Sequence, residues 1–317
     1  MMKHLVRVPS LIATACLLAV LPARRALATG GETSQDFGAF RVLSDFLPHA
    51  FPTKPMKKGR WDVKAVPGYF LYDYTKDLPL TDSSDSRDQR LSGLGAAAAA
   101  DTTLFETDYG DFGFGVLGAY FKGDGRRLEM TVVSPGQPSL GYYGGDTARG
   151  AIVAATLNWD PSQWGQDKDP DGFRLPMIIG LSYMSISEFA SVDTVVDAPY
   201  APRGAGRYRV TTDVNIQSPG VLAGISPQFK AGFARLSPFV MVNYAFKQVA
   251  DKGSFDFLTT GERLSSRSNP SREPVAAVGL EASYLPWGLS TLIVPPIPYV
   301  SQGASAYTLT FSKSFGG

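Results

Sequence analysis

The sequence predicts an all-β protein: a transmembrane, antiparallel, up-and-down β-barrel of about twelve strands. Three observations lead there. From residue 61 onward, stretches with period-two alternation recur to the end of the chain, separated by Gly, Pro and Asp signals. Several of these stretches set a polar or charged row against an apolar one. The composition, with 33 Gly, 14 Tyr and 19 Phe and few helix-patterned segments, also favours β structure.

The candidate strands lie near 61–74, 91–107, 111–121, 126–134, 148–159, 173–187, 206–217, 220–231, 234–248, 274–286, 288–298 and 305–315. Around 173–183, Phe173, Leu175, Met177, Ile179, Leu181 and Tyr183 form one apolar row. In 206–217 the row Arg207, Arg209, Thr211, Asp213, Asn215 and Gln217 is wholly polar, opposite Tyr208, Val210, Thr212, Val214 and Ile216. From Arg235 to Lys247, Leu236, Val240, Val242, Tyr244 and Phe246 oppose Arg235, Ser237, Asn243 and Lys247, with Phe239 and Met241 breaking the polar face. In 126–134, Leu128, Met130 and Val132 oppose Arg127, Glu129 and Thr131. A soluble sandwich alternates too, with its apolar face inward. The number of consecutive strands and the charged rows argue against it.

The spacers suit a meander. Lys122-Gly123-Asp124-Gly125, Ser218-Pro219-Gly220 and Leu285-Pro286-Trp287-Gly288 read as short turns. Long polar loops fall at 75–90, 160–172 and 249–273, and a twelve-strand count puts all three on one side, the outside. That count leaves 135–147 and 188–205 as unusually long turns on the other side. Trp61, Trp159 and Trp287 fall at strand ends, where an interfacial aromatic girdle would sit. The stretch Ala96–Ala100 reads either as a strand facing a crowded interior or plug, or as a short helical interruption.

The first 28 residues read as a secretory signal. Lys3 and Arg7 precede an apolar run from Val8 to Leu21, and Ala26-Leu27-Ala28 offers a small-x-small cleavage site. Cys16 sits inside the apolar run rather than at a lipoprotein cleavage point. Cleavage would remove four of the 30 bases and none of the 29 acids, changing the formal charge from +1 to about −3. A mildly acidic exported chain has no electrostatic case for nucleic acid. Without residues 1–28 there is no Cys, hence no disulfide or thiolate site, and His49 is the one His. Residues 29–60, rich in Pro and Gly, read as a loose periplasmic or plug segment ahead of a barrel over 61–317.

No catalytic or metal site is expected, and no cofactor. His49 lies in the Pro-rich leader and reads as a solvated or plug-lining imidazole. Asp167-Lys168-Asp169-Pro170-Asp171-Gly172 matches the opening of a calcium loop, but Ile178 stands where the bidentate acid belongs. The functional constellation expected is a row of lumen-lining side chains of mixed sign: Arg127, Glu129, Arg207, Arg209, Asp213, Asn215, Lys230, Arg235, Asn243, Lys247 and Glu281. Such groups either contact a passing solute or pair across the lumen, and Arg207 with Arg209 would bias a pore towards anions.

Two resemblances add to this. The last strand, Ala306-Tyr307-Thr308-Leu309-Thr310-Phe311-Ser312-Lys313-Ser314-Phe315, resembles the closing strand of Gram-negative outer-membrane β-barrels, departing at Lys313. A rim position would let Lys313 snorkel to the headgroups. Pro67-Gly68-Tyr69-Phe70-Leu71-Tyr72-Asp73-Tyr74, after a Pro-rich leader, resembles the start of the "MetA-pathway of phenol degradation" family of transporter-like barrels. That resemblance implies passage of small apolar or aromatic solutes and brings no catalytic residues. The expectation is a bacterial outer-membrane channel or transporter, with membrane lipid and a small solute as partners. A closed structural or adhesive barrel whose outer loops bind a partner is the alternative, and an outer-membrane enzyme the weakest reading.

Overall fold

A computed structural model describes residues 42–52, 58–77, 85–131, 140–161, 173–196, 206–257, 263–266, 271–294 and 304–315. The signal-like segment, Cys16 and the Asp167–Gly172 motif lie outside the described residues. The described strands are β1 (Trp61–Asp77), β2 (Asp85–Thr107), β3 (Gly110–Thr131), β4 (Leu140–Asp160), β5 (Met177–Val196), β6 (Gly206–Ile225), β7 (Phe229–Ala231), β8 (Ala234–Phe257), β9 (Arg263–Ser266), β10 (Ser271–Tyr284), β11 (Leu289–Val294) and β12 (Ala304–Phe315). Each pairs antiparallel with its neighbour, β1 pairs with β12, and β8 pairs directly with β10. The sheet therefore closes on itself through ten staves. The short β7 and β9 are extra pairings on β8.

Ten staves, not twelve, is a correction with a specific cause. Lys122-Gly123-Asp124-Gly125 and Ser218-Pro219-Gly220 are not turns but the middles of β3 and β6. Gly123 has no left-handed φ; it is small because a Cβ there would stand 2.6 Å from Phe70 Cζ. Gly220 faces Asn243 Oδ1 and Ser182 Oγ, which would lie 2.7 and 2.8 Å from an added Cβ. Pro219 continues the ladder to β5, opposite Tyr183, and interrupts only the ladder to β8. The 285–288 connection is a true turn: Leu285–Trp287 form a 3-10 turn closed by Gly288 at φ 58°.

Merging two pairs of strands also moves the loops. Call the end where β1 starts and β12 finishes the near end. The connections 78–84, 132–139, 197–205, 258–270 and 295–303 all belong to the far end. The near end has the two-residue connection Asp108-Tyr109, the turn at 232–233, the turn at 285–288 and the longer 161–176. The chain thus leaves β4 and enters β5 at the near end, opposite to the side expected for the 160–172 loop, while β3 and β4, and β5 and β6, are joined from their far ends.

Side-chain alternation gives the wall two unlike faces. Outward on the near half are Val63, Leu94, Val116, Val153, Leu157, Ile179, Leu181, Ile293, Leu309 and Phe311, all exposed. Tyr69, Tyr120, Tyr183 and Tyr244 edge this belt towards the far end. Stacked aromatics edge it at the near end, with Phe112 between Phe105 and Trp159 at centroid distances of 5.0 and 6.1 Å. Tyr284 meets Phe233 and Trp287 edge-on, at 5.5 and 5.3 Å. From Phe112 to Tyr120, at about 3.3 Å per residue and a usual strand tilt, the belt is roughly 20 Å tall. Beyond it Lys122, Asp124, Arg149, Asn215 and Gln217 point outward instead. The strands run on past the belt, β3 to Thr131 and β8 to Phe257.

The core is the barrel interior. Its wall is unusually small-featured on β1, β2, β4 and β6, where Gly68, Gly95, Ala97, Ala99, Gly150 and Gly224 face inward. Ala96–Ala100 is strand, not helix. The room these residues leave is taken by residues 42–52, which are buried throughout. Phe46 Cζ would lie 2.5 Å from a Cβ added at Gly95 and 3.2 Å from one at Gly68. Gly95→Leu is therefore expected to expel Phe46 and destabilise the fold by about 1–3 kcal/mol, as overpacked cores do. The check is the urea midpoint together with protease cleavage within 42–52; an unchanged midpoint and unchanged protection would contradict this packing.

Candidate functional site

Residues 42–52 satisfy part of their own backbone, which helps them to be buried. Phe46 N–H donates to Leu43 O, His49 N–H to Phe46 O and Phe51 N–H to Pro48 O, at 3.2, 3.1 and 3.1 Å. The middle bond opens the 3-10 turn Leu47–Ala50. Pro48 and Pro52 have no N–H to satisfy. The result is a short rod with apolar side chains around it. Leu43 reaches Gly150 beside Phe121 and Ile186, and Phe51 lies against Phe239 at a ring distance of 6.4 Å and against Gly224. Phe239 and Met241, which interrupt the polar row of β8, are thus the side chains that meet the rod or its surroundings.

A polar clasp holds the carbonyl-rich end of the rod. Lys64, inward on β1 and 1% exposed, donates through Nζ to the backbone carbonyls of His49 (3.2 Å) and Phe51. Its charge is balanced by Asp101 on β2, 3.9 Å away. His49 Nε2 and Thr310 Oγ1 on β12 are hydrogen-bonded at 2.8 Å. Gln228, between β6 and β7, donates from Nε2 to Pro52 O at 2.7 Å. Arg174 Nη1 donates to Gln228 Oε1 at 3.3 Å, and Arg174 Nε pairs with Asp160 Oδ2 at 2.8 Å. Asp160 Oδ1 accepts from the Leu175 N–H at 3.1 Å. The rod's last carbonyls are therefore tied to β1 and to the β6–β7 link, which Arg174 connects to Asp160 of β4, and the His49 ring is tied to β12. Charge-assisted bonds of this kind are the stronger ones, and losing one partner in a buried set is costly.

The residues expected to line the lumen divide into three groups. Arg235, Asn243 and Glu281 are buried and face inward on β8 and β10, with Ser182 Oγ donating to Asn243 Oδ1 at 3.0 Å. Asn215 and Lys230 are exposed. Lys230 stands on the fully exposed β7 at the near rim. Asn215 is on the outer face because β6 keeps one phase along its whole ladder to β5, from Met177↔Ile225 to Val196↔Gly206. The contacts of Gly220 and Gly224 make the even positions inward, and Ile216 is correspondingly buried. A change of one residue in phase exchanges the faces of a strand. The third group, Arg127, Glu129, Arg207, Arg209, Asp213 and Lys247, lies on β3, β6 and β8, and their side chains are outside the described ones.

The clasp itself was missed by sequence reasoning, although a signal was there. Asp62, Lys64 and Val66 alternate with Trp61, Val63 and Ala65 in the first strand, which places Lys64 inward. Gln228 and Arg174 had no such signal, since both lie outside regular strands. Lys313, the odd residue of the last strand, donates through Nζ to Trp287 O in the near-end turn rather than standing free.

No protein-family model and no curated protein matches the chain, so the family resemblance at Pro67–Tyr74 gains no support. Among solved structures the chain is similar to the outer-membrane protease OmpT of Escherichia coli, at 10% identity and a TM-score of 0.45, covering 83% of this chain and 97% of that one. It is also similar to the outer-membrane protein OprG of Pseudomonas aeruginosa, at 9% identity and 0.34, covering 82% and 97%. The transport unit of the autotransporter AIDA-I of Escherichia coli gives 14% identity and 0.33, covering 87% and 97%. These are outer-membrane β-barrels, and likenesses so remote carry nothing about what this chain does.

Burial, and secondarily the Lys64 charge, pull the His49 pKa from 6.5 down to about 3, so the ring is neutral near pH 7. Protonation then favours the undocked rod, whose His titrates near its ordinary value. Docking should weaken as pH falls below about 6.5 towards 3, by up to about 1.4 kcal/mol per pH unit. His49→Gln, which keeps a hydrogen-bonding group without a titration, should flatten protease protection of 42–52 between pH 6.5 and 5. Equal slopes in the two proteins would contradict this role.

Proposed function

We propose that the protein is a bacterial outer-membrane channel or transporter for small solutes, with residues 42–52 as an internal plug. The observation that carries this reading is the pairing of a bilayer-height apolar belt with an interior occupied by a separate, clasped segment. A belt of exposed apolar side chains edged by aromatics does not suit water and does suit a bilayer. A wall that merely needed filling could have used its own larger side chains. Here it uses Gly and Ala where the rod lies, so removal of the rod leaves a passage.

The near end, with both chain ends of the barrel and three short turns, faces the periplasm in this reading, and the five far-end loops face outward. Apolar or aromatic solutes fit the lining beside the rod, where Phe70, Phe121, Met184, Phe239 and Met241 face inward. This agrees with the direction of the family resemblance at Pro67–Tyr74. The closed structural or adhesive barrel remains the second reading, supported by the filled lumen and by strands that continue past the belt.

Planar-bilayer recording separates them. The barrel with residues 29–317 should show few or no conductance steps, whereas removal of 29–57 should give frequent, discrete ones. Lys64→Met should fall between, by loosening the clasp alone. Silence from all three would support the closed barrel and overturn the channel.

A further inference from the structure

Just beyond the apolar belt, β3 and β4 place two cations side by side on the outer face. Lys122 and Arg149 are directly opposite in the β3–β4 ladder, and both are exposed. Residues so placed have Cβ atoms about 4.5–5.5 Å apart, and like charges there repel. One step nearer the belt on the same face lie Tyr120 and Ala151, also an opposed pair. Leu94 of β2, 70% exposed, is opposite Lys122 on its other side. The cations thus stand where the outer surface changes from apolar to polar. Asp124 follows two residues along β3 on the same face, and Arg90 lies further up β2. These four side chains carry three positive charges and one negative.

We propose that the Lys122–Arg149 pair binds a phosphate group of an anionic glycolipid in the outer leaflet. A phosphate seated between the two would remove their repulsion. The guanidinium offers it a two-pronged donor and the ammonium a point charge. The lipid's acyl chains would lie along Tyr120, Leu94 and Val153 of the belt below, all exposed. A free anion would gain nothing from that apolar floor, which favours a lipid as the source. The placement rests on the membrane reading and the orientation given above, but not on the channel reading.

The test uses the folded barrel in detergent, with folding of each variant checked by heat-modifiable gel mobility. Binding of bis-phosphorylated lipid A, of the same lipid with its phosphates removed, of phosphatidylglycerol and of inorganic phosphate is measured by native mass spectrometry. Wild type should hold phosphorylated lipid A at least tenfold better than the dephosphorylated form. Lys122→Gln with Arg149→Gln should abolish that preference, while Lys230→Gln, at the opposite rim, should leave it intact. Equal binding of the two lipid A forms by wild type would overturn the proposal without any variant. So would phosphatidylglycerol binding as tightly, or full competition by millimolar inorganic phosphate. A barrel that stays dispersed without detergent would instead overturn the membrane reading beneath it.

Discussion

A closed barrel of ten strands encloses more space than side chains of ordinary size can fill from the wall, and that space must be either watery or occupied. The rest of this structure follows from its being occupied. Residues 42–52 supply Leu43, Phe46, Leu47 and Phe51, and the wall makes room for three of them with glycines: Gly150 at Leu43, Gly68 and Gly95 at Phe46, and Gly224 at Phe51. Bulk has been moved from the wall to the insert. Phe46 is the clearest instance, lying over both Gly68 and Gly95.

An apolar insert alone would be held without preference for position. The clasp makes the position specific. Lys64 is taken almost wholly out of water, which is tolerable only with Asp101 nearby and backbone carbonyls to accept its hydrogen bonds. The Asp160–Arg174–Gln228 series does the same for Pro52 at the far side of the rod's end. Release of the rod would exchange these bonds for bonds to water, leaving a net difference of about 1.5–3 kcal/mol for each bond to a charged group. Neutral His49 adds a contact that acid weakens.

Much of the wall was legible in the sequence, and the reason is period two. The outward rows of β5, β8 and β12 match their apolar alternation, and the ends near Trp61 and Phe315 agree to within a few residues. The strand count failed where Gly and Pro carried two meanings. Gly123 and Gly220 are small to admit Phe70, Asn243 and Ser182, and a lone sequence cannot tell that from a turn. The phase of β6 failed for a different reason. Asn215 and Gln217 are polar yet exposed on the outer face beyond the belt, so polarity at those positions does not mark the interior. The clasp spans partners hundreds of residues apart, such as His49 and Thr310, and only closure of the barrel brings them together.

Residues 42–52 are buried inside the barrel. Because Cys16 is the sole Cys of the full sequence and lies in the signal-like segment, a single Cys placed later reports cleanly. Ala50→Cys is a small change at a buried site, with Lys230→Cys as an exposed reference. The measurement is the rate of labelling by a membrane-impermeant thiol reagent on the folded barrel at neutral pH. Labelling at position 50 should be at least a hundredfold slower than at 230, rising to a similar rate on unfolding. Comparable rates at the two positions in the folded protein would contradict that burial.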